Sequence, residues 1–250
     1  MTDLRLEITG LSAGYNGVAV VRDLSLSVHG GEVVVLLGPN GAGKTTTLLT
    51  VSGLLPILAG DIEVFGRSVS HRAVHKIARS GLAHVPEDRS LFFQLTVSEN
   101  LRLGSARGDA DVARALQYFP ALERLMNRRA GLLSGGEQQM LAMGRALTVP
   151  PKLLIVDELS LGLAPIIVER LLPVLRDVAD ETGAGVLLVE QHVDLALAIA
   201  DRAYVLSHGD LVLANDARYL RENRHLLEAS YVGGPVDSRE LRDRVDSPAD

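Results

Sequence analysis

The stretch that most restricts what this chain can fold into begins at Glu32. Glu32 to Gly38 reads EVVVLLG, a β-branched apolar run that stops at a glycine-rich turn, and KTTTLLTVSG continues as a helix ending at Gly53. Between the two, Gly38-Pro39-Asn40-Gly41-Ala42-Gly43-Lys44-Thr45 fits G-x-x-x-x-G-K-[ST] in full, in the strand-to-helix setting that the mechanism requires. The glycines let the backbone curl so that successive N–H groups face inward, and the following helix aims its positive end at the same point. Gly38, Asn40, Gly41, Ala42, Gly43, Lys44, Thr45 and Thr46 are therefore expected to cradle the phosphates of Mg-ATP. Lys44 adds a mobile cation for the β- and γ-phosphates, and the Thr45 hydroxyl suits the octahedral oxygen shell of Mg²⁺. A turn that only joins a strand to a helix is the alternative, and the flanking elements argue against it.

Strand-like and helical runs alternate through most of the chain, which implies an α/β fold with a mixed or parallel sheet. KLLIVDE (Lys152 to Glu158) and GVLLVEQH (Gly185 to His192) read as central strands buried on both faces, each closing on ionisable residues. Ligands in such sheets bind beyond the carboxyl ends of the strands, so those residues are site candidates. Asp157 can hold Mg²⁺ through water, and Glu158 is then free to orient the attacking water and accept its proton. Solvation of a strand end is the other reading of this pair. His192 can bond the γ-phosphate, or be an ordinary surface histidine at a strand end. From about Leu95 to Thr148 the pattern turns helical, and a helical lobe is expected there. A further helix is expected from Pro165 to just before Gly183, with Pro173 kinking it or shifting its start.

Ser134 and Glu137 have the S-x-x-E spacing of a capping box ahead of the run QQMLAMGRAL. A helix start with two exposed glycines is also an anion site, and local physics does not choose between cap and receptor. The 250 residues contain no cysteine, which excludes disulfides, thiolate catalysis and Cys-based zinc sites. The net charge of −6, with no long basic run, gives little electrostatic reason to expect nucleic acid. No apolar stretch approaches the roughly 20 residues of a membrane helix. The start MTDLRLEITG lacks signal-peptide character, so a cytoplasmic location is expected. Residues 234–250 are polar and turn-rich and read as a mobile tail.

Leu133-Ser134-Gly135-Gly136-Glu137, the loop GPNGAGKTT, the strand LLIVDE and the later His192 stand in the order found in ATP-binding cassette proteins, and the chain resembles that family from about Leu4 to Gly233. VPEDR at Val85 to Arg89, LTVSENL at Leu95 to Leu101 and SLGLAP at Ser160 to Pro165 make it most similar to the branched-chain amino acid importer subfamily. The resemblance implies a P-loop NTPase core over residues 1–233, with an antiparallel β portion at the N-terminus and a helical subdomain inserted at 95–148. It implies an ATPase that pairs head to tail with a second cassette subunit, so that Ser134, Gly135 and Gly136 of one close over ATP held by Lys44 of the other. It also implies transmembrane permease partners, a solute-binding protein, and a place on the inner face of the cell membrane. Tyr15 would stack on adenine, although locally it reads equally as a packed aromatic.

Four positions depart from the general pattern. Glu87 stands where a glutamine usually contacts Mg²⁺, although the subfamily resembled also uses glutamate there, and it is expected to reach the metal through water. Leu159 stands where proline often follows the catalytic glutamate. Gly162 and Leu163 replace the usual aspartate-bearing turn. Two other readings are a soluble cassette switch acting on ribosomes or DNA, and a nucleotide-binding module with impaired hydrolysis, which Glu158 argues against.

Overall fold

The five residues Val33–Leu37 divide their side chains between two separate interiors: Val33, Val35 and Leu37 join one buried cluster, Val34 and Leu36 the other. A strand does this when its two-residue period meets apolar groups on both faces. Each such burial is worth about 1.5–3 kcal/mol relative to exposure, so the run is committed to the middle of a layered fold. The computed structural model describes residues 3–70, 72–105 and 108–232, with residues 231 and 232 described by their backbone only. The tail expected from residue 234 lies outside the described residues.

In chain order the strands are β1 (Leu4–Tyr15), β2 (Val18–His29), β3 (Val33–Leu37), β4 (Ile57–Val64), β5 (Leu82–Val85), β6 (Leu153–Asp157), β7 (Gly185–Val189), β8 (Arg202–Ser207) and β9 (Asp210–Asp216). The helices are α1 (Lys44–Val51), α2 (Val74–Arg79), α3 (Val97–Arg102), α4 (Val112–Tyr118), α5 (Gly135–Leu147), α6 (Pro165–Thr182), α7 (Val193–Ile199), α8 (Ala217–Glu222) and α9 (Arg224–Val232). Strands β5, β6, β7, β3 and β8 lie parallel in that order, and β9 closes one edge antiparallel to β8. A second, antiparallel sheet has the order β2-β1-β4. The mixed sheet and the antiparallel N-terminal portion expected from the sequence are both present.

The smaller sheet, α1 and α2 cover one face of the large sheet, and α3 to α9 cover the other. Between residues 95 and 148 the described residues form α3, α4, two 3-10 turns and α5, with one isolated bridge between Thr96 and Arg129. Leu101, Leu122 and Leu141 of this region pack in the same cluster as Val156 and Leu188 of the sheet. Glycines set two helix ends: Gly53 (φ 74) follows α1, and Gly183 (φ 68) caps α6. Pro165 opens α6 as expected, but Pro173 does not shift that start, and the helix runs across it to Thr182. Pro173 and Glu169 are both exposed, so water can take the Glu169 carbonyl that the proline ring deprives of a donor.

Candidate active site

The loop between β3 and α1 curls because of its glycines. Gly38 has φ 149, and a Cβ there would stand 2.3 Å from the Leu206 carbonyl oxygen. Gly43 has φ 103, and a Cβ there would meet Val21 Cγ2 at 2.5 Å. Neither position tolerates a side chain. Gly43 is also the N-cap of α1, where no side chain caps the helix and no acidic residue stands in its first turn. The N–H groups of Gly43, Lys44, Thr45 and Thr46 find no acceptor among the described residues. Converging donors at the positive end of a helix form an anion receptor. Lys44 Nζ, 4% exposed as a residue, donates to the carbonyls of Gly38 (2.9 Å) and Pro39 (3.1 Å) on the floor of the same loop.

The carboxyl ends of β5, β6 and β7 open beside this loop. Asp157, the last residue of β6, is 2% exposed, and its Oδ1 is buried with no hydrogen-bond partner. Burial pushes its carboxyl up to about 6; a hydrogen bond from the Thr45 side chain pulls the other way, and the nearby charges of Glu158 and Glu87 push it higher. Glu87 itself is exposed on the turn after β5. Glu158 sits in the left-handed region (φ 44), at a cost of about 1–2 kcal/mol for a residue with a Cβ. Its N–H donates to the Val189 carbonyl at 3.0 Å, its Oε1 lies 3.7 Å from Lys44 Nζ, and its Oε2 accepts from Gln191 Nε2 at 2.8 Å.

His192 was read from the sequence as a γ-phosphate ligand or an ordinary surface histidine; of the residues after β7, Gln191 is the side chain that reaches Glu158. The His192 ring is exposed and has no hydrogen bond or ion pair among the described residues. β7 ends at Val189, so the turn that follows, not the strand alternation, decides which of Glu190, Gln191 and His192 points inward.

Tyr15 ends β1 at a two-residue turn, Asn16-Gly17, with φ 52 and 79 as a type I′ hairpin needs. The ring is 47% exposed, so it is not a packed core aromatic. Its hairpin partner β2 touches the phosphate loop through Val21.

Ser134 makes the complete capping box with Glu137: its N–H and Oγ both donate to Glu137 Oε2, at 2.8 and 2.9 Å, and the Glu137 N–H donates to Ser134 Oγ at 3.4 Å. The bond from the Ser134 N–H holds the Glu137 carboxyl below its ordinary range. Ser134, Gly135 and Gly136 line an open hollow of about 630 Å³ with Gly162, Leu163 and Ile167, and no residue of the phosphate loop lines it. Within one chain the two candidate anion sites do not meet.

Two residues carry geometry that residue type alone does not announce. Arg89 (φ 64) donates from Nε to Gln139 Oε1 (2.8 Å), from Nη1 to Gln138 Oε1 (3.2 Å) and from Nη2 to the Leu161 carbonyl (3.3 Å). It thereby ties the Glu87 turn to α5 and to the loop after Glu158. Glu190 is fully buried, and its carboxylate bridges the turns after β6 and β7. An arginine inside VPEDR and an acid inside VEQH were the only sequence signals for them.

A five-strand parallel run, a glycine loop feeding a helix, and carboxylates at the neighbouring strand ends define a P-loop nucleoside triphosphatase. The chain matches the ABC transporter family over residues 21–160. It is 42% identical over 234 residues to the high-affinity branched-chain amino acid transport ATP-binding protein BraG of Pseudomonas aeruginosa, covering 92% of this chain and 100% of that protein. It is 36% identical over 238 residues to the lipopolysaccharide export system ATP-binding protein LptB of Escherichia coli, covering 91% of this chain and 97% of that one. A solved ATP-binding subunit of an ABC transporter superimposes with a TM-score of 0.78 at 30% identity, covering 92% of this chain and 98% of that one. The chain belongs to the ABC transporter family, as an ATP-binding and ATP-hydrolysing subunit. No helix among the described residues is long and apolar enough to cross a membrane.

Proposed function

We propose that this subunit energises the import of branched-chain amino acids or a similar small polar solute, working with transmembrane permease subunits, a solute-binding protein and a second cassette subunit on the cytoplasmic face of the membrane. The likeness to BraG supports that cargo, whereas the likeness to LptB belongs to a protein named for export. The observation that carries the ATPase reading is Glu158, held in a left-handed conformation between the Lys44 ammonium and the Gln191 amide.

ATP phosphates take the free N–H groups of Gly43, Lys44, Thr45 and Thr46, and Lys44 leaves the loop carbonyls for the β- and γ-phosphates. Gly38, Asn40 and Ala42 shape that loop, and the half-exposed Tyr15 ring offers a face to adenine. Thr45 and Asp157 suit a Mg²⁺ ion, since Asp157 Oδ1 is a buried oxygen in need of a partner, with Glu87 near enough to act through water. When bound, Mg²⁺ neutralises phosphate charge and steadies the triphosphate. No trio of His, Cys, Asp or Glu side chains able to hold a metal occurs among the described residues, so most of its oxygens would come from nucleotide and water.

Glu158 accepts a proton from the attacking water as the water oxygen bonds to the γ-phosphorus. The bond from that phosphorus to the bridging oxygen breaks, and ADP leaves with the electron pair. Ser134, Gly135 and Gly136 complete the site from the facing subunit, since in one chain they line a different hollow. The permease has a seat in a second hollow of about 410 Å³, lined by Val85, Arg89, Leu103, Arg145 and Val149 and bordering the Glu87 turn.

Steady-state phosphate release tests this reading. Glu158→Gln should lower turnover about 100- to 10,000-fold while ATP still binds and ATP-dependent dimers accumulate, and cells carrying it should stop taking up labelled leucine. Undiminished phosphate release would remove Glu158 as the base; undiminished leucine uptake with turnover lost would remove the cargo.

A further inference from the structure

Two polar side chains follow β7, and one of them reaches the chemistry. Gln191 Nε2 donates to Glu158 Oε2 at 2.8 Å, while His192, one residue on, leaves its ring in solvent. We propose that Gln191 is the positioning residue of the hydrolytic centre: its amide aims Glu158 at the attacking water, and a buried carboxylate, Glu190, fixes the turn that presents it. The proposal rests on the reading of Glu158 as the base.

Glu158 has two partners for its carboxylate. Lys44 stands 3.7 Å from Oε1, and Gln191 holds Oε2. A triphosphate competes for Lys44, since it carries more negative charge than one carboxylate. Gln191 competes for no such partner, so it is the contact left to orient Glu158 once nucleotide is bound. An amide also suits the position chemically. It offers two N–H donors and a carbonyl, so it can bond Glu158 and still reach a γ-phosphate oxygen or the water, and it carries no charge at any working pH.

The turn is fixed from below. Glu190 is fully buried, and its carboxylate accepts from the Ser160 N–H (2.9 Å), the Ser160 hydroxyl (2.7 Å), the Gln191 N–H (3.0 Å) and the His192 N–H (3.4 Å). These hydrogen bonds join the residue two positions after the base to the residue that orients it. The left-handed Glu158 is therefore held from both sides: by Gln191 at its side chain, and by the Glu190–Ser160 bridge along its backbone. A conformation this uncommon persists when its surroundings determine it more than once.

Steady-state phosphate release by the purified full chain, followed from pH 5.5 to 9 beside fluorescent-ATP binding and a melting curve, decides the matter. Gln191→Ala should lower kcat about 10- to 100-fold with KM and melting temperature nearly unchanged, because the exposed side chain supports the base and not the fold. Gln191→His should recover much of the loss at pH 8 and add a limb titrating near about 6.5, which the amide lacks. His192→Ala should lose at most a few-fold. The proposal is overturned if His192→Ala costs as much as Gln191→Ala, or if Gln191→Ala raises KM and leaves kcat alone. Intact turnover in Glu158→Gln would overturn the base assignment, and this proposal with it.

Discussion

Helices α1 and α5 both begin with small residues, and the two starts are built in opposite ways. At α1 the cap is Gly43, no side chain covers the first turn, and four backbone N–H groups lack an acceptor among the described residues. At α5 the cap is Ser134, and the Glu137 carboxylate already occupies the Ser134 N–H and hydroxyl. A capping box of this kind stabilises a helix start by about 1 kcal/mol, whereas an uncapped one forgoes that stabilisation. The open start is incomplete until an anion arrives. The closed start has its Ser134 groups occupied and leaves the Gly135 and Gly136 N–H groups without an acceptor among the described residues. An anion at α1 therefore meets four open N–H groups, while one at α5 meets two beside a carboxylate already in place.

The largest effect should come at the open start. Lys44→Ala removes the cation that the loop holds ready, and should weaken binding of labelled ATP about 100-fold or more, given about 1.5–3 kcal/mol for each lost hydrogen bond from a charged donor. Binding at the strength of the unaltered chain would break the comparison at its root.

A second, smaller effect sits beside the same helix. Asp157 titrates at about 6 in the fold, above its unfolded value, so the folded state holds the extra proton between roughly pH 4 and 6. Stability therefore falls as pH rises through that window and stays reduced above it. Without nucleotide, Asp157→Asn should raise stability above pH 6 by about 2–3 kcal/mol at most, read as a higher melting temperature, and the gain should fade toward pH 4. With Mg-ATP present the order should reverse, because the variant loses an oxygen that the cation needs. A gain that persists at pH 4 would mean that the carboxylate is not held at a cost.

The smallest change tests the closed start. Glu137→Ala should lower the melting temperature by about 2–4 °C, the loss of one cap in a chain of this size, and by a similar amount with or without ATP. If only the ATP-bound form were destabilised, Glu137 would belong to the nucleotide receptor and not to the cap.

The residues that were legible in advance are those whose chemistry is local. A glycine loop after an apolar strand, Ser134 three residues before Glu137, and Pro165 with Gly183 each state their geometry in a short stretch of chain. Gln191 was not legible, because within Glu190-Gln191-His192 the inward residue is chosen by a turn whose shape depends on the Ser160 contacts to Glu190, 30 positions away. Arg89 was missed for the same reason: its partners are on α5 and beyond Glu158. The exposure of Tyr15 depends on the hairpin being long enough to carry it clear of both interiors, which its own neighbours do not encode.

The division of β3 between two interiors makes the strand a party wall. A truncation at Val35 is felt among the helices that carry the Ser134 hollow, while the same change one position earlier, at Val34, is felt on the side of the Tyr15 hairpin. Adjacent codons thus answer to different tenants, and a map of tolerated replacements along this strand would be expected to swing with parity, each residue reporting damage to the half of the molecule its neighbour never touches.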